Sequence, residues 1–340
     1  MQAGVVDTVL RGYRRVLTPT TAVVPVERPG FSGALVLRIE TAAGAFCLRG
    51  WPPKVDNPER ILALHSFLAY VRAQGISYVA VPIESDEAST LVRLAGRFWQ
   101  IEPWLPGRAD FWSRPSDVRL AAAFGALARF HQAARGFRPA IDRPSYLEPA
   151  EPAVAPTVLD RIERIERWGP IRLAELHVRI RECARDDRSV AEVAGRVASA
   201  FERGAPRIGR ELRSASSLTV PLQPCLRDVW HDHVLFQGDE VSGLIDPSTA
   251  RTDTVAADIS RLAGSLIGDD RRAWGKAMEA YQAIRPLSAA EVTLVGILDR
   301  SGLLLSGMAW LERRYFEGMS FSERVLERFQ RIAARLSSHS

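Results

Sequence analysis

The chain has 340 residues, 46% hydrophobic and 25% charged, which is ordinary for a globular protein and long enough for two domains or one large two-lobed unit. Its formal charge of +5 is small for this length, and basic residues alternate with acidic ones. That pattern excludes a nucleic-acid-binding tail and leaves room only for a mild attraction to anionic ligands.

Three separated cysteines, Cys47, Cys183 and Cys225, argue against a disulfide framework or a zinc site and fit a reducing cytosol. Met1 to Thr18 lacks a signal-peptide core, being interrupted by Arg11, Arg14 and Arg15. No apolar run approaches the roughly 20 residues needed to cross a bilayer, so a cytoplasmic protein without a membrane partner is expected. Only Lys54 and Lys276 are lysines, so lysine is scarce for phosphate chemistry.

In chain order, Ala34–Glu40 and Ala45–Gly50 are strand candidates joined by a turn at 41–44. Pro58–Gln74 carries Ile61, Leu64, Leu68 and Val71 at helical spacing, and Gly75 is placed to end that helix. Ser89–Leu94 and Arg97–Glu102 form a second strand pair around Ala95-Gly96, giving the order strand, strand, helix, strand, strand. Pro103-Trp104-Leu105-Pro106-Gly107 breaks the pattern as a linker. Ser116–Ala134 is an amphipathic helix with Ser116 as N-cap. Residues 137–155 are proline-rich loop, and 157–214 are helical in pattern with Arg/Glu pairs on solvated faces. Strand-like segments return at 220–243, and 255–335 is helical again.

The chemistry lies in Leu226–Asp246, LRDVWHDHVLFQGDEVSGLID. Asp228 sits in a polar loop; Val234-Leu235-Phe236, a Gly238-Asp239 turn and Val241–Ile245 make a hairpin ending on Asp246. Such a hairpin can bring its incoming loop and outgoing end together, one carboxylate to accept a proton and one to bind a hard cation.

These residues resemble the catalytic segment of the aminoglycoside phosphotransferase and choline kinase-like family and, more distantly, of the protein kinases. The family's Asp, Asn and metal-binding Asp are spaced by five and then thirteen positions, and Asp228, His233 and Asp246 keep that spacing. WLPG at 104–107 is similar to the family's lobe-connecting segment, AAFGALARFHQA at 122–133 to the helix after it, and Ala257-Asp258-Ile259 to a helix start beyond the metal site.

The resemblance implies an α+β, bilobal protein-kinase-like fold. Residues 1–102 would be a small antiparallel β-sheet lobe with one helix, 103–107 the linker, and 108–340 a larger, mainly helical lobe with its catalytic loop at 226–236. It further implies ATP (or GTP) with Mg²⁺ (Mn²⁺ possible) and a small hydroxyl-bearing acceptor. Asp228 would accept the hydroxyl proton and Asp246, with His233, would hold the metal. Arg49 would meet the nucleotide phosphates, backbone groups of Glu102, Trp104 and Leu105 the purine, and Gly30, Ser32 and Gly33 would cover the phosphates.

Three positions depart from the family pattern. Arg49 stands where the pattern has lysine, Leu64 where a helix glutamate would orient it (Glu59 being an earlier substitute), and His233 where it has asparagine. Arginine keeps the charge with a larger fork, and imidazole suits softer metals than Mg²⁺. Arg49 either contacts phosphate or snorkels from a strand edge, and His233 either ligates metal or hydrogen-bonds its neighbours. The alternative to a small-molecule kinase is a pseudokinase or nucleotide-binding regulatory module of the same fold. Asp258 reads as a helix cap rather than a ligand contact.

Overall fold

The computed structural model describes residues 3–26, 33–139, 146–185 and 187–338. Gly30 and Ser32 lie outside them. The chain separates into two compact units, 1–149 with 231–251, and 150–230 with 252–340. Contacts thus group 108–149 and 231–251 with the N-terminal segment, although the sequence pattern draws its division at 103–107.

The first unit opens with helices α1 (Ala3–Arg11) and α2 (Arg14–Leu17), followed by strands β1 (Thr20–Pro25), β2 (Leu35–Thr41) and β3 (Gly44–Gly50). Helix α3 (Pro58–Ala73), strands β4 (Val92–Leu94) and β5 (Arg97–Pro103) and helix α4 (Asp117–Arg135) come next. The sheet is antiparallel in the order β1-β2-β3-β5-β4. Alternation along its strands makes two unlike faces. Leu37, Ile39, Phe46, Leu48, Trp99 and Ile101 lie on one and share a core with Val6, Val9, Tyr13 and Leu17 of the N-terminal helices. Each such side chain, once buried, contributes about 1.5–3 kcal/mol. Gly50 is needed there because a Cβ would stand 2.8 Å from the Trp99 ring. The register pairs Arg49 with Gln100 and Cys47 with Glu102, so these four share the opposite, polar face.

Helix α3 begins at Asn57, whose side chain accepts from Arg60 N, with Pro58 at its first position, and Gly75 follows it at φ +91°. Ser116 caps α4 by accepting from Arg119 N at 3.1 Å, as its sequence signals. The expected strand at 89–94 shortens to β4, because Ser85 N donates to Ser89 O and Ser89 Oγ to Leu91 O, turning the chain before Val92. Strand β1 extends the sheet beyond the expected four strands.

In the second unit, strand β6 (Ala150–Ala153) precedes helices α5 (Pro156–Glu166), α6 (Pro170–Cys183) and α7 (Arg188–Ala215) and strand β7 (Val220–Cys225). The chain then returns to the first unit for the hairpin β8 (Val234–Gln237) and β9 (Glu240–Leu244). Strand β10 (Arg251–Asp253) joins β7 and β6 in a small sheet, and α8 (Val255–Leu266), α9 (Arg271–Gln282), α10 (Ala289–Tyr315) and α11 (Glu323–Ser337) complete the unit. Among the described helices α10 alone has the length and hydropathy of a membrane span. It is the core helix of this unit, burying Leu294, Leu298, Leu304, Met308 and Leu311 where it packs on α7, α8 and α11.

Candidate active site

The hairpin brings His233 and Asp246 together. Val234 pairs with Leu244 and Ile245 N donates to His233 O at 3.0 Å, so the thirteen-residue spacing closes into a ladder whose base holds both side chains. Asp246 takes a left-handed conformation, φ 56° and ψ 58°, one that Asp tolerates better than most residues. Its Oδ1 accepts from Arg49 Nη1 and from Ser248 Oγ, both at 2.9 Å, and His233 Nε2 lies 3.9 Å from Oδ2. Burial alone would raise the Asp246 pKa, but Arg49, His233 and the Ser248 hydroxyl outweigh it and hold the carboxyl below its usual range. The group is therefore ionised at neutral pH, as a ligand for a divalent cation must be. Arg49 is an ion-pair partner on the polar face, not a strand-edge snorkel.

The helix glutamate of the kinase pattern has no counterpart at Leu64, which is buried in the core, and Glu59 is exposed on the first turn of α3. The next residue, His65, faces the sheet. Its Nδ1 lies 2.8 Å from Thr90 Oγ1 and its Nε2 3.0 Å from Gln100 Oε1, which also accepts from Trp51 Nε1 at 2.6 Å. Gln100 Nε2 donates to Glu102 Oε2 at 2.8 Å. Burial drives the His65 pKa down to about 4, leaving a neutral ring. Burial also raises the Glu102 pKa, against the opposing pull of Arg49 and of the Gln100 amide.

Trp104 N donates to Ala45 O at 3.0 Å, tying this donor to the sheet, and the Arg38 guanidinium lies over the Trp104 indole. Leu105 borders Gly243, and Gly33 sits at φ +79° with its carbonyl accepting from Arg97. A cavity of about 500 Å³ is lined by Arg72, Tyr78, Trp104, Leu105 and Ser242 among others, but not by Arg49, Glu102, His233 or Asp246.

Asp228 belongs to the second unit, where its loop is held by groups that sequence pattern does not reveal. Asp258, buried in the first turn of α8, accepts from Leu226 N at 2.7 Å and from Arg227 N at 2.6 Å. It does not cap the helix; Thr254 does, accepting from Ala256 N. Arg227, at φ 70°, turns inward to an ion pair with the buried Asp253. Asp253 is fixed in turn by Thr157 N and Thr254 N. So anchored, the loop presents the Asp228 side chain, 42% exposed, with Oδ1 accepting from Arg261 Nε and Nη2 at 3.0 and 2.9 Å. Beside it the Trp230 ring has the Arg328 guanidinium 3.9 Å from its centroid and that of Arg261 at 5.7 Å. His231, in the first unit, stacks on Trp112 at 3.4 Å between ring centroids. His231 thus takes part in a ring stack, and His233 has a carboxylate neighbour. The sign of Asp258 in sequence is the Ala257-Asp258-Ile259 segment, which reads as a helix start and does not report the loop that Asp258 holds.

Structural comparison assigns the class first: this is the protein-kinase-like fold. The chain aligns with an amicoumacin kinase solved with AMP-PNP and Ca²⁺ at a TM-score of 0.69 and 14% identity, covering 100% of this chain and 94% of the other. An aminoglycoside phosphotransferase from Alicyclobacillus acidocaldarius gives 0.63 and 16%, covering 98% and 93%. The phosphotransferase enzyme family model matches residues 27–292, and the chain belongs to that family. Curated relatives include the homoserine kinases of Methylobacterium nodulans, 28% identical over 78% of this chain and 73% of theirs, and of Rhizobium johnstonii, 27% identical over 70% and 64%.

Proposed function

We propose that this chain transfers the terminal phosphoryl group of a nucleoside triphosphate to the hydroxyl of a small, carboxylate-bearing acceptor, with homoserine the first to test. The observation that carries the kinase reading is the Asp228 loop: the buried Asp258 holds its backbone, the buried Asp253 holds the Arg227 side chain, and the Asp228 side chain is left partly exposed. A general base needs that combination of fixed position and access to substrate. Asp228 accepts the acceptor's hydroxyl proton as the new P–O bond forms, and the nucleoside diphosphate leaves with the electrons of the broken bridging bond. Asp246 and His233 would hold the divalent cation, Mg²⁺ or, favoured by the imidazole, Mn²⁺, which when bound neutralises phosphate charge. Arg49 supplies a fixed positive charge for the phosphates. Backbone groups near Glu102 and Leu105 meet the base, and Gly33 forms part of the phosphate cover.

The acceptor class follows from charge beside the base. Arg261 is bonded to Asp228, and it flanks Trp230 together with Arg328. A polycationic acceptor meets repulsion there, whereas a carboxylate is attracted. The homoserine kinases among the relatives point to the same class.

The test is a nucleotide-consumption assay with Mg²⁺ or Mn²⁺, offering homoserine, other hydroxy acids and an aminoglycoside. Phosphorylation of a hydroxy acid, abolished by Asp228→Asn, is expected. Metal-dependent nucleotide binding without turnover on any alcohol would leave the regulatory-module reading instead. No nucleotide binding under either metal would refute both.

A further inference from the structure

We infer that Glu102, aimed by Gln100 and His65, is the positioning carboxylate for Arg49, so that the sheet supplies the countercharge which α3 lacks. This rests on the proposal that Arg49 meets the nucleotide phosphates, and it concerns the Glu102 side chain rather than its backbone.

Every hydrogen in the network has a forced direction. An indole nitrogen only donates, so Gln100 Oε1, 2.6 Å from Trp51 Nε1, is the acceptor end of that amide. His65 Nε2, 3.0 Å from the same oxygen, must donate as well. The neutral ring then has Nδ1 as its acceptor, and it takes the Thr90 hydroxyl proton at 2.8 Å. The Gln100 amide nitrogen is left facing outward, donating to Glu102 Oε2 at 2.8 Å. Flipping the amide would set its NH₂ against the indole N–H, which can only donate. The orientation is therefore locked from α3 through β5, and Glu102 is fixed at the end of the chain of bonds.

What Glu102 faces follows from register. Arg49 pairs with Gln100 and Cys47 with Glu102, so Arg49 and Glu102 are diagonal neighbours on one face. Diagonal side chains lie about 7–8 Å apart at their bases, within reach of a long arginine. Each charge stabilises the other's ionised form. Arg49 thus has two carboxylates, and they are not equivalent. Asp246 has a second duty toward a cation, and a metal on that carboxylate competes with the guanidinium. Glu102 has no such duty in this scheme and keeps Arg49 extended along the polar face when Asp246 is engaged elsewhere.

A double-variant cycle on nucleotide affinity tests this, using calorimetry with a non-hydrolysable ATP analogue and Mn²⁺, and a kcat and KM split in parallel. Glu102→Gln, which keeps the shape and removes the charge, is expected to weaken binding about tenfold and raise KM with little change in kcat. Arg49→Gln is expected to weaken binding at least as much. Adding Glu102→Gln to Arg49→Gln should cost no more, because a positioning residue acts only through its partner. His65→Phe, at the far end of the network, should give a smaller loss that also vanishes in the Arg49→Gln background. It carries the same cycle if Glu102→Gln does not fold. Affinity within twofold of the parent for Glu102→Gln, or additive losses in the double variant, would overturn the inference while leaving the phosphate role of Arg49 standing. Unchanged affinity in Arg49→Gln alone would remove that role and the inference with it.

Discussion

The Asp228 loop and the Asp246 hairpin each present one carboxylate, but they are held by different means. At Asp228 the loop is anchored by its neighbours: Asp258 takes the two preceding backbone N–H groups, and the Arg227 side chain is drawn into the protein by Asp253. At Asp246 the side chain itself is engaged, with Arg49 and Ser248 on one oxygen and His233 near the other. A loop fixed by its backbone can lose its carboxylate and keep its shape. A carboxylate that balances a partly buried arginine cannot be removed without disturbing that arginine.

This contrast breaks most directly on activity. Asp228→Asn is expected to lower turnover by a factor on the order of 10² to 10⁴ while calorimetry finds nucleotide affinity within about twofold of the parent. An equal loss of affinity would mean that the loop is not independently anchored. Asp258→Ala removes the acceptor for two buried N–H groups and should cost about 3 kcal/mol in denaturant unfolding, with the loop disordered.

On the other side, acid should act through His65. Its folded pKa, about 4, lies below the unfolded value near 6.5, so the unfolded chain binds the proton more readily. The stabilisation is full above about pH 6.5 and is lost as pH falls toward 4, by up to about 3 kcal/mol. Unfolding curves taken through that window should flatten in His65→Phe. The smallest effect belongs to Arg261→Gln. That ion pair has side chains 29% and 42% exposed, so its loss should change stability by less than about 1 kcal/mol and separate its place beside the base from any structural duty.

How much of this was legible in the sequence depended on how local the cause was. The apolar triplet at 234–236, the Gly238-Asp239 turn and the strand-like 241–245 were enough to anticipate the hairpin that joins His233 to Asp246. The Pro58 start and Gly75 stop bounded α3 to within a residue. Strand β1 left no such trace, because an edge strand exposed at every position has no buried face to impose alternation. The hold of Asp258 on Leu226 and Arg227 spans more than thirty residues, and no short-range rule reports it. Leu64 signalled that the helix glutamate was missing, but the network of His65 and Gln100 appears only once β5 is set beside β3.

One contact in the 103–107 segment bears on the hairpin. Arg108 and Phe236 exchange both backbone hydrogen bonds, at 3.0 and 2.9 Å, and Ser242 Oγ donates to Pro106 O at 2.6 Å. Gly107 permits that approach at φ +100°, since any Cβ there would collide with Ser242 and with the Phe236 carbonyl. The segment proposed to read the base and the hairpin proposed to hold the cation are therefore stitched into one piece, like the jaws of a caliper locked at a single opening. Loosening that stitch, as Gly107→Ala would, should disturb both segments together and not one of them alone.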